Sequence, residues 1–287
     1  MTNGHSHRGR SGRPDYRLRV GATVLIAFSV FAIVIPLFAT QAPSVVGDIM
    51  ATRLTPPLSH DAHGIHHWLG TDAFGRDIVI RLWLAARISL VVGVTGSLFA
   101  AALGITLGAL AAWNGGVVER VIVAVSDAML AIPRLVLLLV IASLWGPGLG
   151  VVITILAVTG WMSVMRLVRA DVLGVRVLPF VEASHALGMK PSRVLWRHVL
   201  PNALGSTIVA LTLGVGNAIV LESGLSFLGL GIQPPTASWG NMIASGREWL
   251  LIAPWIALAP GVLLIATVVA CTLLGDALTA ARDVQSR

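Results

Sequence analysis

The chain has 287 residues, of which 56% are hydrophobic and only 11% charged, with a formal net charge of +7. Soluble globular domains carry about 25% charged residues, so a fully water-covered surface is excluded and lipid is the expected solvent. A single cysteine, Cys271, excludes a disulfide framework and a thiolate metal site. The cations fall between apolar runs and not along one stripe, which argues against nucleic acid as a partner.

A membrane helix needs about 20 mostly apolar residues to cross about 30 Å of hydrocarbon. Six stretches meet or approach that length. Residues 1–19 read as a cytoplasmic tail with Arg8, Arg10, Arg13, Arg17 and Arg19. The first span is Gly21 to Ala39. A cleaved signal peptide is its rival, but the run is long for one and five more follow, which favours an uncleaved anchor. A loop of mixed composition, Thr40 to Arg87, completes a segment of residues 20–87. It holds His60, His63, His66 and His67 with Asp61. Imidazole suits zinc or nickel, yet the stretch is Pro- and Gly-rich and loop-like, and no metal is assigned to it. His5 and His7 lie in the polar tail and receive no role.

The second span is Ile88 to Ala112 and the third Val121 to Leu144, joined by WNGGVVER. The fourth is Leu149 to Val168, the fifth Ala203 to Leu221 and the sixth Pro254 to Leu274. These make a five-helix core, residues 88–276, interrupted by a polar loop at 170–202, and residues 277–287 form a second tail. With the N-terminus inside, inside segments hold fourteen cations and the outside segments five. That bias predicts six crossings with both termini in the cytoplasm, and places the polar loop there too. The expected fold is an all-α, six-span membrane protein.

Gly104 and Gly108, and Gly205, Gly214 and Gly216, are spaced to let helices approach closely in lipid. Pro133 and Pro260 fall within spans and should bend them. Ionisable residues inside a membrane are functional suspects. Asp127 and Arg134 are seven apart on the third span, two turns apart near one face. They are candidates to pair together, to pair with a neighbouring subunit, or to line a path. Glu222, at the outer end of the fifth span, either meets a substrate amine or bonds the following loop. No Ser/His/Asp or paired-carboxylate arrangement stands out in the spans, so no hydrolytic chemistry is assigned.

The polar loop contains FVEASHALGMKPSRVLWRHVLPN, Phe180 to Asn202. VEASHAL is helix-compatible, Glu182 suits a helix N-terminus and Gly188 can end the turn in a left-handed conformation. Pro191 suits the first position of a second short helix, which Leu200-Pro201 should break. The physics leaves two readings open: a rigid bracket that passes force to a soluble partner, or an ordinary interfacial amphipathic segment.

The spacing Glu182-Ala183-Ser184, then Leu187-Gly188, then His198-Val199-Leu200-Pro201 resembles the "EAA" loop of the permease subunits of bacterial ABC importers. Ser184 stands where a second Ala is usual, and His198 where Ile is usual. Two further stretches, HWLGTDAFGRDIVIRLWLAARISL (His67 to Leu90) and ESGLSFLGLGIQPPTASWGNM (Glu222 to Met242), resemble the C-type subunit of the dipeptide/oligopeptide group, which also includes nickel permeases. The resemblance runs from about residue 15 to the C-terminus, in the same order and spacing.

That resemblance implies the type I importer permease fold in a bacterial inner membrane. It implies a coupling loop formed by Glu182, Ala183, Ser184, Leu187, Gly188, Leu200 and Pro201. It further implies a second permease subunit as heterodimer partner, two ATP-binding subunits or one fused ATPase, and an extracytoplasmic substrate-binding protein. ATP and Mg are expected on the ATPase partners and no cofactor on this chain. A P-loop needs Gly-Lys-Ser/Thr, and the only lysine, Lys190, precedes proline. The rival within the family is the same machine carrying nickel or another small solute. Rivals from other classes are an ATP-independent secondary transporter or channel, which needs ion-coupling carboxylates near broken helices, and a receptor or scaffold without transport.

Overall fold

A computed structural model describes residues 16–38 and 49–285, with side chains for residues 16–37 and 49–281. The tail residues His5, His7, Arg8, Arg10 and Arg13, and the side chains of Arg282 and Arg287, lie outside it. In chain order the helices are α1 (Tyr16–Val34), α2 (Ile49–Thr52), α3 (Ile78–Asn114), α4 (Gly116–Leu130), α5 (Arg134–Trp145) and α6 (Leu149–Val175). They continue as α7 (Pro179–Ala186), α8 (Pro191–Val194), α9 (Leu200–Ala203), α10 (Gly205–Phe227), α11 (Trp239–Gly246) and α12 (Trp255–Gln285). A minimal hairpin, β1 (Ser59–His60) and β2 (His66–His67), pairs antiparallel with Ser59 opposite His67.

By length and composition, α1, α3, α6, α10 and α12 can each cross a membrane, and α4 with α5 makes a sixth crossing if the bent pair is one span. The fold is all-α, as the sequence predicts.

The third span departs from expectation. It is two helices at 88°, not one rod from Val121 to Leu144. Pro133 is the cause: it has no N–H to continue the ladder, and it disfavours the helical region for Ile132. Pro133 itself is extended (ψ 124°) and becomes the cap of α5. Asp127 and Arg134 therefore sit on different helices and do not share a face. Pro260, by contrast, lies inside an uninterrupted α12.

The second span also begins earlier, at Ile78. Asp77 caps it by accepting from the Ile80 N–H (3.1 Å). Hydropathy excludes residues 78–87 because of Arg81 and Arg87, but Arg81 is neutralised by an ion pair with Asp72. With 37 residues, α3 is about 55 Å long at 1.5 Å per residue, and projects well beyond the hydrocarbon.

The core is α3 against α6. The buried face of α3 includes Ser89, Gly93, Gly96, Ala100, Gly104, Gly108 and Ala111, a three-to-four-residue period that lines one side of a helix. A Cβ on Gly104 would lie 2.6 Å from Val164 Cβ, and one on Gly108 2.6 Å from the Met165 carbonyl. In lipid, where tails compete for apolar contacts, such backbone approach replaces the hydrophobic effect as the source of association. Gly216 of α10 meets α12 at Cys271, whose side chain is buried.

Candidate functional site

The polar loop folds into a bracket. In α7, Val181 and Ser184 face inward, three residues apart, while Glu182, Ala183, Ala186 and Leu187 face out. Leu187 is 83% exposed. The helix ends in a complete Schellman motif: the Gly188 N–H donates to the His185 carbonyl (2.9 Å) and the Met189 N–H to Ser184 (3.2 Å). Gly188 has φ +76°, where a side chain is strained, and a Cβ there would touch nothing. Ser184 is accommodated because its hydroxyl donates to the Phe180 carbonyl (2.7 Å).

Pro191 opens α8, as expected. Leu200-Pro201 does not break the helix; it widens it. Residues Leu195–Val199 form a π turn leading directly into α9, with the Leu200 N–H donating to the Leu195 carbonyl. The wider turn accommodates a proline ring that would otherwise press on the carbonyl four residues back. Asn202 Nδ2 donates to the His198 carbonyl (2.6 Å).

The bracket is fastened to the membrane core. Val181, Val194, Leu195, Val199 and Leu200 share one buried cluster with Val168 and Val172 of α6 and with Ala109 and Ala112 of α3. Fully burying one such aliphatic side chain is worth about 1.5–3 kcal/mol, so the loop must move with α6. Trp113 stacks on His185 (6.0 Å, 23°), and Arg176 donates to the Ala112 carbonyl (2.6 Å). Lys190, Arg193, Trp196 and Arg197 form an exposed basic face on α8 and the turn after it.

The three intramembrane charges prove to have different surroundings. Glu222 is fully buried and accepts from Ser226 (2.7 Å), Ser89 (3.3 Å) and Ser223 (3.4 Å). Ser89 and Ser226 in turn accept the N–H groups of Trp239 and Ile232. Glu222 thus staples α10 to α3 and to the loop before α11, and no face of it is open to a passing solute. Asp127 pairs with Arg166 of α6, and nearby Glu119 accepts from Arg169 Nε (2.7 Å). Arg134 has no carboxylate within ion-pair distance among the described residues; its contacts are long ones, to Thr159 Oγ1 (3.4 Å) and the Leu156 carbonyl (3.5 Å).

Three of the loop histidines make structural contacts. His67 lies between Asp77 Oδ2 (2.7 Å) and Asp61 Oδ2 (3.3 Å), while His60 packs edge-on against His66 across the hairpin. Burial works against ionisation of Asp61, but donors from Ile65, His67 and His63 outweigh it and hold the carboxyl below its ordinary range. No group of three His, Cys, Asp or Glu is arranged for a metal among the described residues. Asp72 ties the same region together by accepting from Arg76 (2.8 Å) and pairing with Arg81.

Sequence reasoning missed Ser97 and Asn217, which line a small niche with Arg134. The available signal was Asn217 itself, the one amide side chain in the apolar run Gly205–Phe227.

Comparison with known proteins identifies the family. Residues 104–283 match the family described as binding-protein-dependent transport system inner membrane component. The chain is 35% identical over 268 residues to the oligopeptide transport system permease protein OppC of Bacillus subtilis (strain 168), covering 93% of this chain and 85% of that protein. It is 38% identical to the dipeptide transport system permease protein DppC of the same organism, covering 93% and 81%. To the glutathione transport system permease protein GsiD of Pectobacterium atrosepticum it is 36% identical, covering 76% and 72%. An inward-facing structure of the MetNI methionine ABC transporter superposes with a TM-score of 0.55 at 21% identity, covering 71% of this chain and 96% of that one. At that identity the likeness speaks for the fold alone.

Proposed function

Because the chain belongs to the binding-protein-dependent transport system inner membrane components, we propose that it is the permease subunit of an ATP-driven importer of short peptides, forming one half of the pathway. It is a multi-pass inner-membrane subunit with the type I importer permease fold. The peptide substrate rests on the curated relatives, named for oligopeptide and dipeptide transport.

The observation that carries the mechanism is the bracket: an exposed face on α7 backed by a buried one. Glu182, Ala183, Leu187 and Gly188 are the docking surface for an ATPase subunit. Ser184, Leu200 and Pro201 hold that surface in shape. Both termini and the bracket lie in the cytoplasm, following the cation bias. ATP and Mg bind the ATPase partners, and ATP closure there pushes α7. Because α7 shares a core with α6 and α3, the push tilts these helices between inward- and outward-open arrangements. A second permease supplies the other wall and a binding protein delivers the peptide from outside. Arg134 lies on the substrate path. Asp127 and Glu222 instead hold helices together, so neither is free to couple an ion as a secondary transporter requires.

The test is ATP hydrolysis by the purified complex in lipid nanodiscs. Peptide-loaded binding protein is expected to raise it severalfold over the unloaded protein. Nickel stimulation without peptide stimulation would move the substrate assignment to metal.

A further inference from the structure

Three hydrogen-bond-donating side chains converge on one niche at mid-depth. Arg134 of α5, Ser97 of α3 and Asn217 of α10 line it, beside Gly96, Ala100 and Gly160. Its depth follows from α6: the Arg134 side chain reaches Leu156, Thr159 and Gly160, seven to eleven residues into that helix. At 1.5 Å per residue this is about 10–17 Å from the outer end of α6.

The donors greatly outnumber the acceptors. A guanidinium has five N–H donors, and Arg134 spends only two, both on long contacts to neutral oxygens. Among the described residues, neither the Ser97 hydroxyl nor the Asn217 amide makes a hydrogen bond, and no carboxylate reaches Arg134. Gly160 leaves the room: a Cβ there would lie 3.1 Å from Arg134 Nη2 and 2.8 Å from Ala100 Cβ. An ionisable residue retained inside a membrane protein is a candidate for the substrate pathway.

The size of the niche restricts that anion. Its volume is about 50 Å³, several times the roughly 10–15 Å³ that a cavity needs to hold one water. It cannot take a peptide, but it can take one carboxylate group, whose oxygens match a guanidinium fork.

We propose that Arg134, with Ser97 and Asn217, is a transit site for the C-terminal carboxylate of the imported peptide. This rests on the peptide reading above. The C-terminal carboxylate is the one group that linear peptides share whatever their side chains. A site for it lets the pathway hold peptides of any sequence by the same end. Two long neutral contacts are weak enough to be exchanged for the carboxylate and then restored.

The test compares trialanine with trialanine amide, each loaded to saturation on the binding protein, in proteoliposomes containing the intact complex. Wild type is expected to import the acid about tenfold faster than the amide, in line with one charge-assisted hydrogen-bonded contact. Arg134→Gln should abolish the difference between acid and amide, slowing the acid more than the amide. Arg134→Lys should recover part of the difference, since it keeps the charge but not the fork. Equal import of acid and amide by wild type overturns the carboxylate site and leaves the peptide reading standing. Equal loss of both in Arg134→Gln also overturns it, assigning Arg134 to a contact with a neighbouring subunit. A wild-type complex that hydrolyses ATP but moves neither peptide overturns the peptide reading together with the site.

Discussion

Gly188→Val is expected to lower peptide-stimulated ATP hydrolysis and uptake by at least about tenfold while the subunit still folds. The left-handed backbone at Gly188 (φ +76°) costs a residue bearing a Cβ about 1–2 kcal/mol, and a β-branched side chain is a marked outlier there. The least costly relief is to open the Schellman turn and re-aim Leu187 and the outer face of α7. A Cβ at this position meets no atom within 4 Å and Gly188 is exposed, so the core remains intact. The cost falls on the docked geometry, where about 1.4 kcal/mol is a factor of ten. Gly188→Asn, which tolerates this backbone better, should lose much less. Thermal unfolding of the subunit measured beside complex ATPase separates the two effects. Equal activity for the valine and glycine forms would remove the loop from the coupling path.

The second large effect is on the fold. Gly104→Val and Gly108→Val are each expected to destabilise the subunit by about 3 kcal/mol or more, at or beyond the upper end for overpacking. The contacts responsible are not flexible side-chain ends. At Gly104 the Trp161 carbonyl would lie 2.8 Å from the new Cβ, and at Gly108 the Met165 carbonyl 2.6 Å. Relief requires α6 to move away from α3, and the bracket moves with it. The double variant should fail to accumulate in membranes. Gly150→Ala on the same α6 meets nothing within 4 Å, and should be neutral or slightly stabilising through helix propensity. Membrane-fraction blots with protease sensitivity read all four; a stable double variant would refute the close α3–α6 approach.

Hydropathy was a good guide to α1, α6, α10 and α12 because each is a continuous apolar run flanked by polar residues. It failed where tertiary contacts pay for charge. Arg81 extends α3 outward only because Asp72, far outside any helical period, comes back to neutralise it. Pro133 was visible as a bend, but an 88° turn that separates Asp127 from Arg134 was not. The two long motifs were legible as a resemblance, and the structure gives the reason for part of their content. Glu222, Ser226, Trp239 and the Ser238–Asn241 capping box lock the outer loop onto α3 and α10. Ser89 and Glu222 are 133 residues apart in sequence, and no local pattern joins them. Likewise Ser97, Arg134 and Asn217 are unremarkable singly and meaningful only where three helices meet.

The proposed docking surface is tested most directly by photo-cross-linking at Leu187, the exposed cap residue of α7. With p-benzoylphenylalanine in place of Leu187 in the assembled complex, irradiation is expected to yield one dominant adduct, this chain joined to an ATPase subunit. The same group at Leu258, an exposed face of α12, should give no ATPase adduct. An assembled, active complex in which position 187 cross-links only to lipid or to the permease itself would contradict the account.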